Sequence, residues 1–312
     1  MCEKVDAILD IGGTKILLVL FDQKGKQVFK ERFPTLPEKE ENTDLLERIN
    51  FIINQALVDT NTIIKGLALC VPGPVDFKTG TIINAPNLSW KDQMPLRELM
   101  QQYWSVPIVI ENDANAAVFG EAVAGSGQGM ENVIYVTIST GIGAGFYLQG
   151  EIYRGSRGFA AELGHTKYFG SRLCRCGGIG CLESEASGES IAYKGREIFR
   201  SSQGNNINTA EVFLKARRNC SLAIQLVDEM VESLGLAFAN LATLLDPDIM
   251  VIGGGVSAEG EYLLKKIKQK MIDYAYHPEI EQVKLTRALL EPESPIWGMY
   301  YLLKSNNVVF YP

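Results

Sequence analysis

"DAILDIGGTKILLVLF" fills residues 6–21. An apolar run ends near Asp10, Gly12-Gly13 permits a sharp turn, and a second apolar run follows at once. Short apolar runs joined by glycine read as strands of an antiparallel hairpin, here 5–11 and 15–21. A polar turn at 22–26, with Gly25, then leads into a third strand. A strand rather than a helix follows the glycines, so this is not the opening of a Rossmann βαβ unit, and no GxxxxGK[ST] pattern occurs. The same grammar returns in "NVIYVTISTGIGAGFYLQ", residues 132–149. There the pattern predicts a strand over 132–139, a turn through "TGIGAG", a strand over 145–149 and a short one near Tyr153.

Outward from each hairpin, helices and strands alternate. Leu45, Leu46, Ile49, Ile52, Ile53, Ala56 and Leu57 share one face of a helix over 43–59. Strands are expected over 64–71, 106–110 and 248–252. Further helices are expected over 96–103, from Ala114 onward, and over 222–245, 261–274 and 296–304. The chain therefore reads as a duplicated α/β unit with a cleft between the halves. The expected division is a small domain over 1–117, completed by a C-terminal helix in 295–312, and a large domain over 118–294.

With 312 residues, 46% of them hydrophobic, the chain can bury a substantial core. Its 30 basic and 37 acidic residues give a net charge of -7 without single-sign blocks, which argues against nucleic acid or an anionic membrane as a partner. The N-terminus lacks the pattern of a signal peptide, and the most apolar stretch, 133–148, is short and interrupted by glycine. A cytosolic location is the expectation. Cys2, Cys70 and Cys220 are then isolated thiols, and Cys70 and Cys220 read as small buried side chains.

Both glycine turns admit two readings. Either is an ordinary hairpin turn, or its backbone N–H groups approach a phosphate, with Gly12, Gly13, Thr14 and Lys15 in the first and Thr140 and Gly141 in the second. Asp10, at a strand end, suits Mg²⁺ held through water. Two turns at matching positions point to a nucleoside triphosphate held from both sides. In "IGGGVS", residues 252–257, Gly253, Gly254 and Gly255 form either a tight strand-to-helix turn or a flat backbone beneath adenosine. In "IVIENDANAA", residues 108–117, Asp113 is either a helix cap or a general base near an acceptor hydroxyl.

"ELGHTKYFGSRLCRCGGIGCLE", residues 162–183, gathers one of two histidines and three of six cysteines. His165, Cys174, Cys176 and Cys181 form a Cys₃His set suited to tetrahedral Zn²⁺. Four protein ligands close the site, so the ion is structural. Glu162 and Glu183 stand at the ends of the loop, and no C-x-x-C redox pair is present.

Together, "DIGGTK", "PGPVD", "APNL", "ENDANAA", "STGIGAG", "AELGH", "CRCGGIGCLE" and "IGGGVS" resemble the ROK family of sugar kinases and sugar-responsive regulators over nearly the whole chain. The resemblance implies an actin-like, hexokinase-type fold of two α/β domains and transfer of phosphate from ATP to a hexose, usually at C6. It implies Asp113 as catalytic base, with Asn87, Asn112, Asp113, Glu162, His165 and Glu183 against the sugar. His165 is thus expected to offer one ring nitrogen to zinc and the other to a hydroxyl. The C-x-C spacing resembles glucokinase-like and N-acetylhexosamine kinase-like members more than fructokinases. Glucose is therefore the leading acceptor, ahead of N-acetylglucosamine, N-acetylmannosamine, allose and fructose. Ala161 departs from the glycine many relatives carry before E-x-G-H. Family resemblance also favours a homodimer. Repressors of the family place a winged-helix domain before the phosphate loop, whereas Asp10 stands tenth here, so a kinase is expected rather than a DNA-binding regulator. A sugar sensor without turnover is the third reading, disfavoured by Asp10, the turns and Asp113.

Overall fold

A computed structural model describes residues 2–35, 42–85, 88, 90, 92–168, 170–203 and 207–305, with the backbone alone at 42–44 and 201–203. It separates into two compact units. The first comprises Met1–Ala124, Arg154–Ala160 and Glu293–Pro312, and the second Gly125–Tyr153 and Ala161–Pro292.

In the first unit, β1 (Glu3–Ile11), β2 (Lys15–Phe21) and β3 (Gln27–Pro34) form the expected meander, and β4 (Thr62–Val71) and β7 (Ile108–Asn112) extend it in parallel. The sheet order is β3-β2-β1-β4-β7. α1 (Asn42–Thr60) lays Leu45, Ile49, Ile53 and Ala56 into a core with Val5, Ala7, Leu9, Leu67 and Leu69. Two-residue strands β5 (Val75–Asp76) and β6 (Thr81–Ile82) pair with each other, and α2 (Leu96–Gln101) follows.

α3 (Asp113–Ala124) packs on α9 (Ser294–Lys304). Their approach is close enough that a Cβ on Gly298 would lie 1.7 Å from the Ala116 carbonyl oxygen, and one on Gly120 2.4 Å from that of Ser294. The small residues of "DANAAVFGEAVA" thus let the helix backbones touch and fix where α3 begins. α3 is one continuous helix and stays whole with the first unit, whose boundary falls at Ala124 and not inside it.

The second unit repeats the plan. β8 (Val133–Ile138), β9 (Ile142–Leu148) and β10 (Glu151–Ile152) form an antiparallel meander, and β11 (Ile249–Gly253) and β12 (Lys284–Arg287) add in parallel, in the order β10-β9-β8-β11-β12. The expected second strand began at residue 145. In the structure Gly143 pairs with Thr137 and Gly145 with Tyr135, so the strand begins earlier and the turn shrinks to Ser139–Gly141. Glycine tolerates extended backbone as readily as a turn, which is why the sequence overstated the loop. α4 (Leu182–Ala186), α5 (Gly188–Gln203), α6 (Thr209–Arg217), α7 (Ser221–Leu245) and α8 (Glu261–Asp273) supply the helices, with Leu226, Met230, Leu234, Phe238 and Leu241 of α7 in the core. Among the described residues, no helix is long and apolar enough to cross a membrane.

Candidate active site

The β7–α3 junction places "END" where a buried strand becomes a helix. Asn112, not Asp113, is the helix cap. Its Oδ1 accepts the N–H groups of Ala114 at 2.9 Å and Asn115 at 3.0 Å. One Nδ2 hydrogen goes to the Gly73 carbonyl at 3.0 Å. A carboxamide carries two such donors, so a second remains on the same nitrogen. Asp113 Oδ1 takes the Ala114 N–H at 2.8 Å. Both side chains therefore serve the helix N-terminus, Asn112 through two N–H groups and Asp113 through one.

Asp10 lies one strand pair before the first turn, next to the end of β1, and its Oδ1 lies 3.6 Å from Cys70 Sγ on β4. Burial pushes the Cys70 thiol well up, and Asp10 and then Asp113 push it further. This thiol stays protonated as the small buried side chain expected of it. Gly12 N–H donates to the Lys15 carbonyl at 2.9 Å, while Gly13, Thr14 and Lys15 are exposed. Thr35, which no sequence motif marked, pins the turn through its hydroxyl to Gly12 O at 2.7 Å and its N–H to Thr14 O at 3.0 Å.

In the second unit the glycine turn and the Cys-rich loop meet at Ile142. Glu183 Oε2 accepts the Ile142 N–H at 3.0 Å, and a Cβ on Gly141 would come within 2.3 Å of that oxygen. From the other side, Gly164 of "ELGH" backs onto the Ile142 carbonyl, 2.1 Å from where its Cβ would be. Thr140 is exposed at the tip, and the Gly188 N–H opening α5 reaches Ser139 O at 2.7 Å. Ala161 has φ 65, in the left-handed region that glycine occupies without cost.

The candidate ligand atoms of His165, Cys174, Cys176 and Cys181 all lie within 4.8 Å of one another. A tetrahedral ion with Zn–S bonds of about 2.3 Å sets its sulfurs about 3.8 Å apart. Here Cys176 Sγ and Cys181 Sγ are 3.6 Å apart, and Cys174 Sγ is 3.7 Å from His165 Nδ1. Those edges and the donor set both fit zinc. Burial pushes the Cys174 thiol up to about 12, while the Gly178 amide lowers that of Cys176, so a thiolate at Cys174 needs a cation beside it. Lys167 Nζ donates to Cys181 Sγ at 3.0 Å. His165 Nδ1 faces the thiols, leaving Nε2 4.0 Å from Glu162 Oε2. Burial raises the Glu162 pKa, His165 pulls it back, and Glu183 adds a further upward push. The loop is held outside the cluster by Arg172, which donates to Ser190 Oγ at 2.6 Å and lies over the Tyr193 ring.

At the third glycine run, a Cβ on Gly253 would overlap the Tyr135 hydroxyl, at 2.0 Å, and Gly254 has φ 79. The strand leads first into a short 3-10 helix, Gly255–Glu259, and only then into α8. Glu291, also unmarked by the sequence, accepts the Gly254 N–H at 2.9 Å and the Tyr135 hydroxyl at 3.1 Å. Gly255 has open space around it. Asn87 of "APNL" lies outside the described residues.

The family model of ROK proteins matches residues 7–306. The chain belongs to the ROK family. Within it, the chain is 33% identical to a glucokinase of Halalkalibacterium halodurans, over 96% of this chain and 94% of that protein. It is 30% identical to a putative xylose repressor of Caldicellulosiruptor, over 97% of this chain and 78% of the repressor. Among solved structures, a ROK family glucokinase from Streptomyces griseus in complex with glucose and AMPPNP superposes with a TM-score of 0.81 at 29% identity, covering 96% of this chain and 99% of that one. The fold is accordingly the actin-like ATPase fold of ROK hexokinases, with its strand–turn–strand opening present twice.

Proposed function

We propose glucose, at its C6 hydroxyl, as the acceptor of this ATP-dependent sugar kinase, with Asp113 as general base. The observation that supports the reading is the β7–α3 junction: Asn112 supplies two of the helix-capping bonds, so capping does not depend on the carboxylate beside it. Asp113 takes the proton of the attacking hydroxyl as its oxygen bonds to the γ-phosphorus and ADP leaves. Phosphoryl transfer asks for little else beyond positioning and charge neutralisation. Asn87, Asn112, Glu162, His165 and Glu183 are assigned to the sugar, Asn112 through its second Nδ2 hydrogen. Gly12, Gly13, Thr14, Lys15, Thr140 and Gly141 are assigned to the phosphates, Gly253, Gly254 and Gly255 to the nucleoside, and Asp10 to Mg²⁺ through water.

His165, Cys174, Cys176 and Cys181 would hold a structural zinc ion, whose contribution is to fix the loop that bears Glu162 and His165. The likeness to a glucokinase along the full chain supports glucose over the other hexoses, and the family favours a homodimer. The likeness to a xylose repressor supports a second reading, a sugar sensor without turnover. ADP release measured over a panel of hexoses and pentoses separates the two. Glucose-dependent release is the expected result, and sugar binding without release from any member would establish the sensor.

A further inference from the structure

Glu111 sits next to the end of β7 with a side chain only 2% exposed. A carboxylate buried that deeply is tolerated only when its oxygens are well supplied with donors. Its Oε1 accepts the Asn112 N–H at 2.9 Å and Asn115 Nδ2 at 3.1 Å, and its Oε2 accepts Arg154 Nε at 2.6 Å. The first two donors belong to the peptide and helical turn that carry Asp113. The third comes from Arg154–Ala160, a segment that packs with the first unit although the chain on both sides of it belongs to the second.

That segment is built to stay in place. The Ala160 N–H closes it onto the Arg154 carbonyl at 3.3 Å. Gly158, at φ 80, lies so close to β5 that a Cβ would stand 2.4 Å from the Val75 carbonyl oxygen. The Arg154 guanidinium also lies over the Phe77 ring, 4.7 Å from its centroid. A guanidinium can donate in its plane to a carboxylate while its face stacks on an aromatic ring, and an ammonium cannot do both.

We infer that Arg154 is a positioning residue for Asp113: by clamping Glu111 it sets the Asn112 peptide from which the base projects. The inference rests on Asp113 being the base. A merely structural ion pair behaves differently, because replacing both partners with neutral groups of similar volume is often harmless. The decisive variant is therefore the double one, Glu111→Gln with Arg154→Met, compared with wild type. Its melting temperature should stay near that of wild type, whereas Arg154→Met alone, which leaves a buried charge unpaired, should melt lower. Displacing a reacting group by an ångström costs about 10²-fold, so kcat of the double variant with glucose should fall by about that factor. KM for ATP should hold within about twofold, since the nucleotide contacts are untouched. Amide exchange over 111–115 should quicken while the rest of the first unit keeps its protection. Arg154→Lys should not restore kcat, and it carries the same comparison if the double variant does not fold. Wild-type kcat in the double variant, or in Arg154→Lys, overturns the inference. If the wild-type protein itself releases no ADP with any sugar, it is the kinase reading that fails. The exchange rates over 111–115 then still decide whether Arg154 holds the junction, and unchanged rates in the double variant reject it.

Discussion

The two sheets have one strand order and two chemistries. In the first, the row at the strand ends runs Asp10, Cys70, Glu111, with Asn112 and Asp113 just beyond. In the second, the matching row pairs Thr137 with Gly253. The last strand pair before the turn is Ile11–Ile16 in one and Ile138–Ile142 in the other, so Asp10 and Thr137 occupy equivalent places. Gly253 stands where the first unit has Cys70, and the Tyr135 hydroxyl occupies the space a side chain would need. One unit thus gathers carboxylates while the other clears its backbone of side chains. A repeated scaffold fixes where a group can stand. What stands there decides whether the strand end offers carboxylates or bare backbone amides.

The hardest test of that division is Asp113→Asn, which removes the proposed base and keeps the shape. Turnover should fall by about 10²–10⁴-fold with glucose binding retained, as read by coupled ADP release and calorimetry. Near-normal turnover would return Asp113 to a capping role and erase the contrast between the units.

Comparable in free energy, though not in kind, are paired core truncations. Phe21 is fully buried in the first unit, its ring stacked 4.4 Å from that of Tyr300, and Phe238 is fully buried in the second. Either Phe→Ala change should cost about 3–5 kcal/mol. Hydrogen exchange should show protection lost first within the truncated unit, and equal loss across both would deny that they are separate cores.

Only the second unit carries the Cys₃His cluster. Protein purified without added metal should contain about one zinc per chain by elemental analysis, and Cys176→Ser should lose it. Sugar affinity should drop in the same variant, and full affinity without zinc would dismiss the staple.

The turns themselves should respond unequally. Alanine at Gly141 meets the carboxylate that holds Ile142, so Gly141→Ala should lose about 1–3 kcal/mol and raise KM for ATP. At Gly12 the nearest atom is the Lys15 carbonyl oxygen at 3.2 Å, and Gly12→Ala should cost less than Gly141→Ala in both measures. The smallest effect belongs to Ala161→Gly. Relief of the left-handed backbone outweighs the added freedom of the unfolded chain, for a net gain below about 1 kcal/mol seen as a slightly higher Tm.

Much of this was legible in the residues. Apolar runs of strand length located both hairpins, though the return strand of the second begins at Ile142 and not at Gly145, and helical spacing located α1, α7 and α9, because burial of a periodic face is a local pattern. The Cys₃His set could be read from composition alone, since thiols and imidazole rarely crowd without an ion. Three contributors escaped. Thr35, Glu291 and Arg154 are ordinary polar residues in unremarked stretches, and each acts on a backbone or carboxylate group distant in sequence.

From its sequence alone the chain announced a doubled α/β fold, two glycine turns, a four-ligand cluster and a carboxylate at a strand end. Only the tertiary structure decided that Asn112 rather than Asp113 caps α3, since either residue type serves as a cap and the choice depends on where each side chain finds its partners. It likewise decided that Glu183 and Gly164 meet at Ile142, and that the segment from Arg154 to Ala160 packs with the first unit. Periodicity and propensity act over a few neighbouring residues and can be read along the chain. Hydrogen bonds to buried carboxylates and clearances around glycine join residues remote in sequence, and they exist only once the chain has folded.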